Sequence, residues 1–317
     1  MDSEYTPPLL HRNSHFAAIL PHQFRKFRNF ESKRIRIETP DGDFLDIDLY
    51  NQYSTRAAIL VHGLEGSSQS GYIQGMAKQM KANGNAAICM NFRGCSGQPN
   101  QKFESYHSGK TDDLQLVIDY ALKEFEKIYL IGFSLGGNVV LKYAGEKGNT
   151  IDKCIKAAVG ISVPIDLAGS CKTLALKENT LYNKRFIRQL SKKAIAKAKA
   201  FPEKGIDSEA FKKLKDLCEF DNLYTAPAHG FQNADDYYKQ CSSKQYLNKI
   251  WIPSLLINAK NDSFLSENCY LKEDEIPAHL TYLEPNFGGH VGFASDHFFR
   301  KAFWSEKKVL EFIRSIA

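Results

Sequence analysis

At 317 residues, with 43% hydrophobic and 12% aromatic content, the chain can bury a sizeable core, and it is long for one compact domain but short for two full ones. Its formal net charge of +6 is modest and no aromatic-basic recognition module accompanies it, so nucleic acid is not expected as a partner. No run of about 18 apolar residues occurs, which argues against a membrane-spanning helix.

The N-terminus opens with Asp2 and Glu4 and meets Pro7-Pro8 before any long apolar stretch, so no signal peptide is expected. Strand-like runs at 35–37 and 44–49 flank Asp41-Gly42, a strong turn signal, and predict an antiparallel hairpin. The run 57–61 leads into His62-Gly63-Leu64-Glu65-Gly66, a helix pattern starts near Gln69, and 86–91 forms the next strand. After His107-Ser108-Gly109-Lys110-Thr111-Asp112, a polar loop in which Thr111 or Asp112 is placed to cap, a helix starts near Asp112. The run 128–131 is broken by Gly132-Phe133-Ser134-Leu135-Gly136, and a helix continues from Gly137. Strands follow at 157–163, 251–259 and 280–283, with a last helix from Ser305. Such alternation predicts an α/β fold, a mostly parallel sheet flanked by helices.

Between Pro164 and Lys249 the strand signal disappears and charged helical patterns replace it, so residues 164–249 are expected to form a helical cap inserted into a core of 1–163 and 250–317. Within it Lys184, Arg185, Arg188, Lys192, Lys193, Lys197 and Lys199 crowd a helix whose Ile187, Leu190, Ala194 and Ala198 keep helical spacing. Two uses suit a basic amphipathic helix. One is a solvated cationic face over a packed apolar stripe; the other is a peripheral contact with a membrane surface or anionic lipid. Seven cysteines, odd in number and scattered without metal-ligand spacing, point to reduced thiols and a cytoplasmic location. No phosphate-binding glycine loop or metal motif is present, so no cofactor is implied.

Gly-x-Ser-x-Gly between a strand and a helix reads as a nucleophile elbow: glycines at 132 and 136 let the backbone turn sharply and lift the Ser134 hydroxyl out of the sheet. A serine needs an imidazole to take its proton, and the imidazole needs an acid to hold its tautomer. Asp262 directly follows a strand and is the candidate acid, preferred over Asp274 and Asp296, which do not. Of nine histidines, His290 follows both Ser134 and Asp262 after a glycine-rich lead-in and is the candidate base; His297, in what reads as a helix start, is its nearest rival. An oxyanion formed at Ser134 would meet the backbone N–H of Leu135, the residue after the nucleophile, and that of Leu64 on the earlier loop. His62 precedes the serine and reads as a loop-shaping residue.

The strings His62-Gly63-Leu64-Glu65-Gly66-Ser67-Ser68, Asn91-Phe92-Arg93-Gly94-Cys95-Ser96-Gly97, Tyr106-His107-Ser108-Gly109, Gly132-Phe133-Ser134-Leu135-Gly136-Gly137-Asn138 and Gly288-Gly289-His290-Val291-Gly292-Phe293 closely resemble the YheT-like branch of the α/β-hydrolases. Shorter matches, among them Glu219-Phe220-Asp221 and Asp236-Tyr237-Tyr238, extend the likeness through the middle of the chain. The resemblance implies an α/β-hydrolase fold and a serine hydrolase acting on small-molecule carboxylic esters, with lipid-like acyl substrates among relatives. Members often carry Asp-Pro-Phe after the acid strand, where this chain has Asp262-Ser263-Phe264, a looser turn that keeps the carboxylate. The pair His107 and Asp112 fits a His-x4-Asp pattern linked in relatives to acyl transfer onto an alcohol. An acyltransferase and a non-catalytic binder of apolar ligands therefore stand as alternatives.

Overall fold

The computed structural model describes residues 4–27, 30–296, 299 and 301–316. Its strands are β1 (Lys33–Glu38), β2 (Phe44–Tyr50), β3 (Arg56–Val61), β4 (Ala86–Met90), β5 (Lys127–Phe133), β6 (Ile155–Ile161), β7 (Ser254–Ile257) and β8 (Leu280–Leu283). They make one sheet in the order β1-β2-β4-β3-β5-β6-β7-β8, antiparallel at β1–β2 and β2–β4 and parallel elsewhere. All eight strand runs expected from the sequence are present. At the hairpin, Gly42 N–H donates to the Thr39 carbonyl at 2.9 Å and Thr39 N–H to that of Asp43 at 3.0 Å, with Gly42 at φ +76°. Glycine suits this left-handed position because it has no Cβ to clash.

The helices are α1 (Ser14–Phe24), α2 (Gly71–Ala82), α3 (Thr111–Leu122), α4 (Leu135–Lys147), α5 (Leu167–Leu174), α6 (Thr180–Ala200), α7 (Leu217–Phe220), α8 (Ala226–Ala228), α9 (Ala234–Cys241) and α10 (Trp304–Ser315). The period of two along a strand decides which helices it meets. From β3, Ala57, Ile59 and Val61 pack with Leu114, Val117 and Ile118 of α3 and Val139 and Val140 of α4, whereas Ala58 and Leu60 pack with Met76 and Met80 of α2 and Val309 and Leu310 of α10. Covered on both faces, β3 and β5 are apolar beyond their first residues, Arg56 and Lys127, as buried parallel strands are. Helices α5 to α9 all lie between β6 and β7 and hold their own apolar clusters, one around Leu167, Ile187, Tyr237 and Tyr238 and another around Phe103, Phe211 and Phe220. Among the described residues no helix is long and apolar enough to cross a membrane.

One helix was not anticipated and two local expectations are corrected. Helix α1 had no counterpart in the sequence reading, since Pro21 inside it is a breaker signal; Asn13 nevertheless caps its start, its Oδ1 accepting the N–H groups of His15 and Phe16. Neither Thr111 nor Asp112 caps α3: Lys110 holds the cap position without a side-chain bond, Thr111 Oγ1 donates to Glu146 at 2.7 Å, and Asp112 pairs with Lys110 at 2.6 Å. The basic residues of α6 do not share one solvated face. Lys193 turns to Glu65 at 2.8 Å and Lys197 donates to the carbonyls of Asn100 and Lys102, whereas Arg185, which reaches His22 at 3.1 Å, stays exposed with Lys184, Arg188, Lys192 and Lys199. Long aliphatic stems let such side chains follow apolar surface to a distant acceptor.

Asn138, on the first turns of α4, is fully buried. It donates to the carbonyls of Ser108 and Cys241 and accepts the Ser243 N–H, each at 2.8 Å. It thereby joins two loops to the helix that carries the elbow. Replacing Asn138 with Ala strands three buried backbone groups, and we expect the unfolding free energy to fall by about 3 kcal/mol in a urea titration; an unchanged midpoint would contradict the clamp.

Candidate active site

Ser134 sits between β5 and α4 with φ +51° and ψ −123°, a strained conformation for a residue with a side chain. Two glycines make it possible. A Cβ on Gly132 would run into the carbonyl of Gly136, and a Cβ on Gly136 into the carbonyls of Val61 and His62. The Ser134 N–H donates to Ile161 at 2.9 Å and its carbonyl accepts Asn138 N–H at 3.1 Å, so the turn is fixed from both sides.

The structure brings Ser134, His290 and Asp262 together. His290 Nε2 lies 2.9 Å from Ser134 Oγ, while Nδ1 lies 2.9 and 3.1 Å from the two Asp262 oxygens. A carboxylate accepts only, so Nδ1 carries the proton and Nε2 faces the serine hydroxyl as acceptor. The Asp262 side chain is fully enclosed and its Oδ1 also accepts Phe264 N–H at 3.0 Å. Of the rivals, Asp274 lies in the Glu273–Glu275 turn, Asp296 accepts the Lys301 N–H at 3.3 Å, and His297 lies outside the described residues.

Several positioning roles were missed: Asn261 and Ser162 carry no motif, and Phe264 was noted only as the end of the Asp262-Ser263-Phe264 turn. The loop around His290 is held by Asn261 Oδ1, which accepts Gly289 N–H at 2.9 Å, and by Ser162 Oγ, which accepts Val291 N–H at 2.9 Å. Phe264 stacks on the His290 ring with centroids 4.2 Å apart and planes 24° apart. The Ser263 carbonyl accepts Asn179 Nδ2 at 2.6 Å, a bond from the start of α6 that restrains the turn after Asp262.

Leu64 and Leu135 flank the serine. Gly63 is so close that a Cβ there would come within 3.0 Å of Ser134 Cβ. The Gly63 N–H donates to Tyr72 Oη at 3.0 Å and the Glu65 N–H to Tyr106 Oη at 2.9 Å. Those two tyrosines leave the Leu64 N–H between them without a bonded acceptor among the described residues. Leu135 opens α4, where a helix's first N–H groups lack internal partners and its dipole favours negative charge. His62 shapes the loop: Nδ1 donates to the Gly63 carbonyl at 2.7 Å and Nε2 accepts Phe92 N–H at 3.2 Å.

A cavity of about 240 Å³ opens at the serine, lined on one side by Leu167, Leu174 and Phe186 of the helical insertion and on the other by Ala18, Ile19 and His22 of α1. Helix α1 closes against the His290 loop so tightly that a Cβ on Gly289 or Gly292 would meet the Ser14 or Ala17 carbonyl, respectively. The strap is anchored by Arg25, which grips Glu306 of α10 through two bonds of 2.5 and 2.9 Å. His107 also lines the cavity, 4.5 Å from the His229 ring, but Asp112 is exposed on α3; the His-x4-Asp positions do not form a pair.

Burial is the main reason that three histidines stay neutral. His62 and His229 are each held down to about 4, and His107 well below its ordinary value, with nearby cations adding a smaller push. Unfolding restores a pKa near 6.5, so the unfolded chain takes up protons that the folded one refuses as pH falls from about 6.5 toward 4. Stability is therefore full above 6.5 and lost across that window, by roughly 3 kcal/mol at pH 4 from His62 alone. Asp221, pushed up to about 6 by burial, and Asp113, also raised by burial, work in the opposite direction, but Asp41, Asp43, Asp46 and Asp48, held against burial below the ordinary carboxylate value by hydrogen bonds and cations, add to the loss at low pH. Urea unfolding from pH 7 to pH 4.5 is expected to show a falling midpoint; a flat midpoint would refute the buried neutral state.

The strand order, the turn after β5 and the helices inserted between β6 and β7 are features of one fold family. The chain belongs to the α/β-hydrolase fold family, whose model matches residues 58–296. It is 33% identical to YheT of Escherichia coli (strain K12), over 98% of this chain and 93% of that protein. It is 26% identical to the monoacylglycerol lipase of Saccharomyces cerevisiae, over 81% of this chain and 58% of that one. Among solved structures, the Pyrococcus furiosus esterase Pf2001 matches with a TM-score of 0.59 at 18% identity, covering 91% of each chain, a likeness of fold.

Proposed function

We propose that this chain is a serine hydrolase that cleaves carboxylic esters through an acyl-enzyme on Ser134, with residues 164–249 as a cap over the site. The observation that carries the reading is the pair of contacts made by His290, 2.9 Å to Ser134 Oγ on one side and 2.9 Å to Asp262 on the other. His290 Nε2 takes the serine proton as Oγ attacks the ester carbon, and Asp262 stabilises the imidazolium. The oxyanion is met by the N–H groups of Leu64 and Leu135. His290 then returns the proton to the departing alkoxide, and a water activated in the same way releases the acid. The apolar side chains Leu167, Leu174, Phe186, Leu190 and Leu217 around the cavity favour a hydrocarbon acyl or alcohol group, in keeping with the name of the yeast relative. The acyltransferase alternative draws no support from His107 and Asp112, which face different surroundings.

A p-nitrophenyl ester panel from acetate to palmitate tests this. We expect serine-dependent turnover that falls by about 10⁴-fold or more in Ser134→Ala and comparably in Asp262→Asn, where the wrong tautomer faces the serine. A fluorophosphonate should label the wild type and spare Ser134→Ala. Near-wild-type turnover by Ser134→Ala would defeat the reading.

The exposed cations Lys184, Arg188, Lys192 and Lys199 of α6 support a peripheral contact with anionic lipid, since a basic helix face is drawn to a negative headgroup layer. Co-sedimentation with phosphatidylglycerol vesicles, lost in high salt and absent with phosphatidylcholine, is the expected result; equal behaviour with both lipids removes this contact.

A further inference from the structure

Two carboxylates line the cavity, and their circumstances differ. Glu65 is matched by Lys193 at 2.8 Å and accepts the Tyr106 hydroxyl at 2.8 Å. Asp221 has no cationic partner among the described residues; its Oδ2 accepts the Tyr238 hydroxyl at 2.6 Å, and Thr225 is its other side-chain partner. Around it stand Phe220, Tyr237, Tyr238, Leu217 and Cys171, all lining the same cavity. Asp221 is half-buried as a residue and lines the cavity.

The backbone singles out the same position. Asp221 is the first residue of a π-helical stretch, Asp221–Thr225, that joins α7 to α8. A π turn inserts a residue into the helical ladder and re-aims the side chains after it; such turns recur at functional sites. An enclosed carboxylate without a cation costs stability, and neutral hydrogen bonds from Tyr238 and Thr225 only partly offset that. A carboxylate can accept more hydrogen bonds than these two, so a ligand group that donates to Asp221 would add to them, with the aromatic residues Tyr237 and Tyr238 lining the cavity beside it.

We propose that Asp221 is a specificity-determining residue that binds a hydrogen-bond donor, a hydroxyl or an ammonium group, on a part of the substrate other than the scissile ester. The inference rests on the ester-hydrolase reading and narrows its substrate class: esters that are hydrocarbon along the cavity wall and carry a polar donor at the Asp221 end. Asp221 does not touch Ser134, His290 or Asp262, so its part is to position substrate.

The test compares esters of matched length bearing a methyl, hydroxyl or ammonium terminus, placed in one series on the acyl side and in another on the alcohol side. Wild type should turn over at least one donor-bearing ester with a kcat/KM about tenfold or more above its methyl partner, and Asp221→Leu should bring that ratio to near one. Preference for hydroxyl or for ammonium identifies the donor. Asp221→Asn, which keeps an acceptor for Tyr238, should lose an ammonium preference while its melting temperature stays near that of wild type. A ratio near one in wild type, or a preference that survives in Asp221→Leu, overturns the proposal. So does a uniform loss on all esters in Asp221→Leu with lowered melting temperature, the pattern of a merely structural carboxylate. If wild type turns over no ester and Ser134 is unlabelled by fluorophosphonate, the hydrolase reading fails by itself. The subsite is then decided by calorimetry of the same esters on Ser134→Ala: tighter binding of the donor-bearing member, abolished by adding Asp221→Leu, sustains it, and equal binding of all members overturns it.

Discussion

The site depends on one very close backbone approach. Where β5 gives way to α4, peptide groups of residues 132 and 136 lie against each other and against the end of β3, with no room for a Cβ at either glycine. That crowding holds Ser134 at positive φ and brings α4 in with its first N–H groups open. It also brings the loop after β3, with Gly63 and Leu64, beside the serine. Nucleophile, helix terminus and donor loop are thus placed by one steric fact.

Around that contact, buried polar side chains hold the loops at the ends of the parallel strands. Arg93, after β4, is almost wholly enclosed and binds Asp113 of α3 with bonds of 2.7 and 2.9 Å and Asp41 of the β1–β2 turn at 2.6 Å. Asn258, after β7, donates to the carbonyls of Val163 and Cys269 and accepts Val163 N–H. Asn138 does the same for two further loops. Each exchanges solvent for several protein partners, which gives directionality that apolar packing alone lacks.

Much of this was legible in the sequence. Eight apolar runs, separated by turn signals and helical patterns, gave the strands because strand periodicity and burial on two faces leave a direct trace in residue type. Ser134, Asp262 and His290 stood out because each follows a strand end in the expected order. Other features leave no such trace. Asn261 and Ser162 hold the His290 loop through single hydrogen bonds that many polar loop residues could make. Helix α1 was hidden by Pro21, whose missing N–H is a local signal outweighed by docking onto the His290 loop and α10. Lys193 and Lys197 looked like solvated charges, since composition does not say which way a long stem bends. Asp221 lay inside a string that matched a family without stating a purpose, and only the cavity gave it one.

The strap made by α1 has a consequence for the order in which the molecule comes into being. Residues 14–25 are synthesised well before their seats, the loop at 288–292 and Glu306 on α10. Tyr5, which donates to the Ala294 carbonyl at 2.6 Å, and the Glu4 carbonyl, which accepts Trp304 Nε1–H at 3.0 Å, add to the same long-range closure. A nascent chain therefore carries an idle first helix while the sheet assembles around the serine. The pocket wall is completed only when α1 meets the His290 loop and α10.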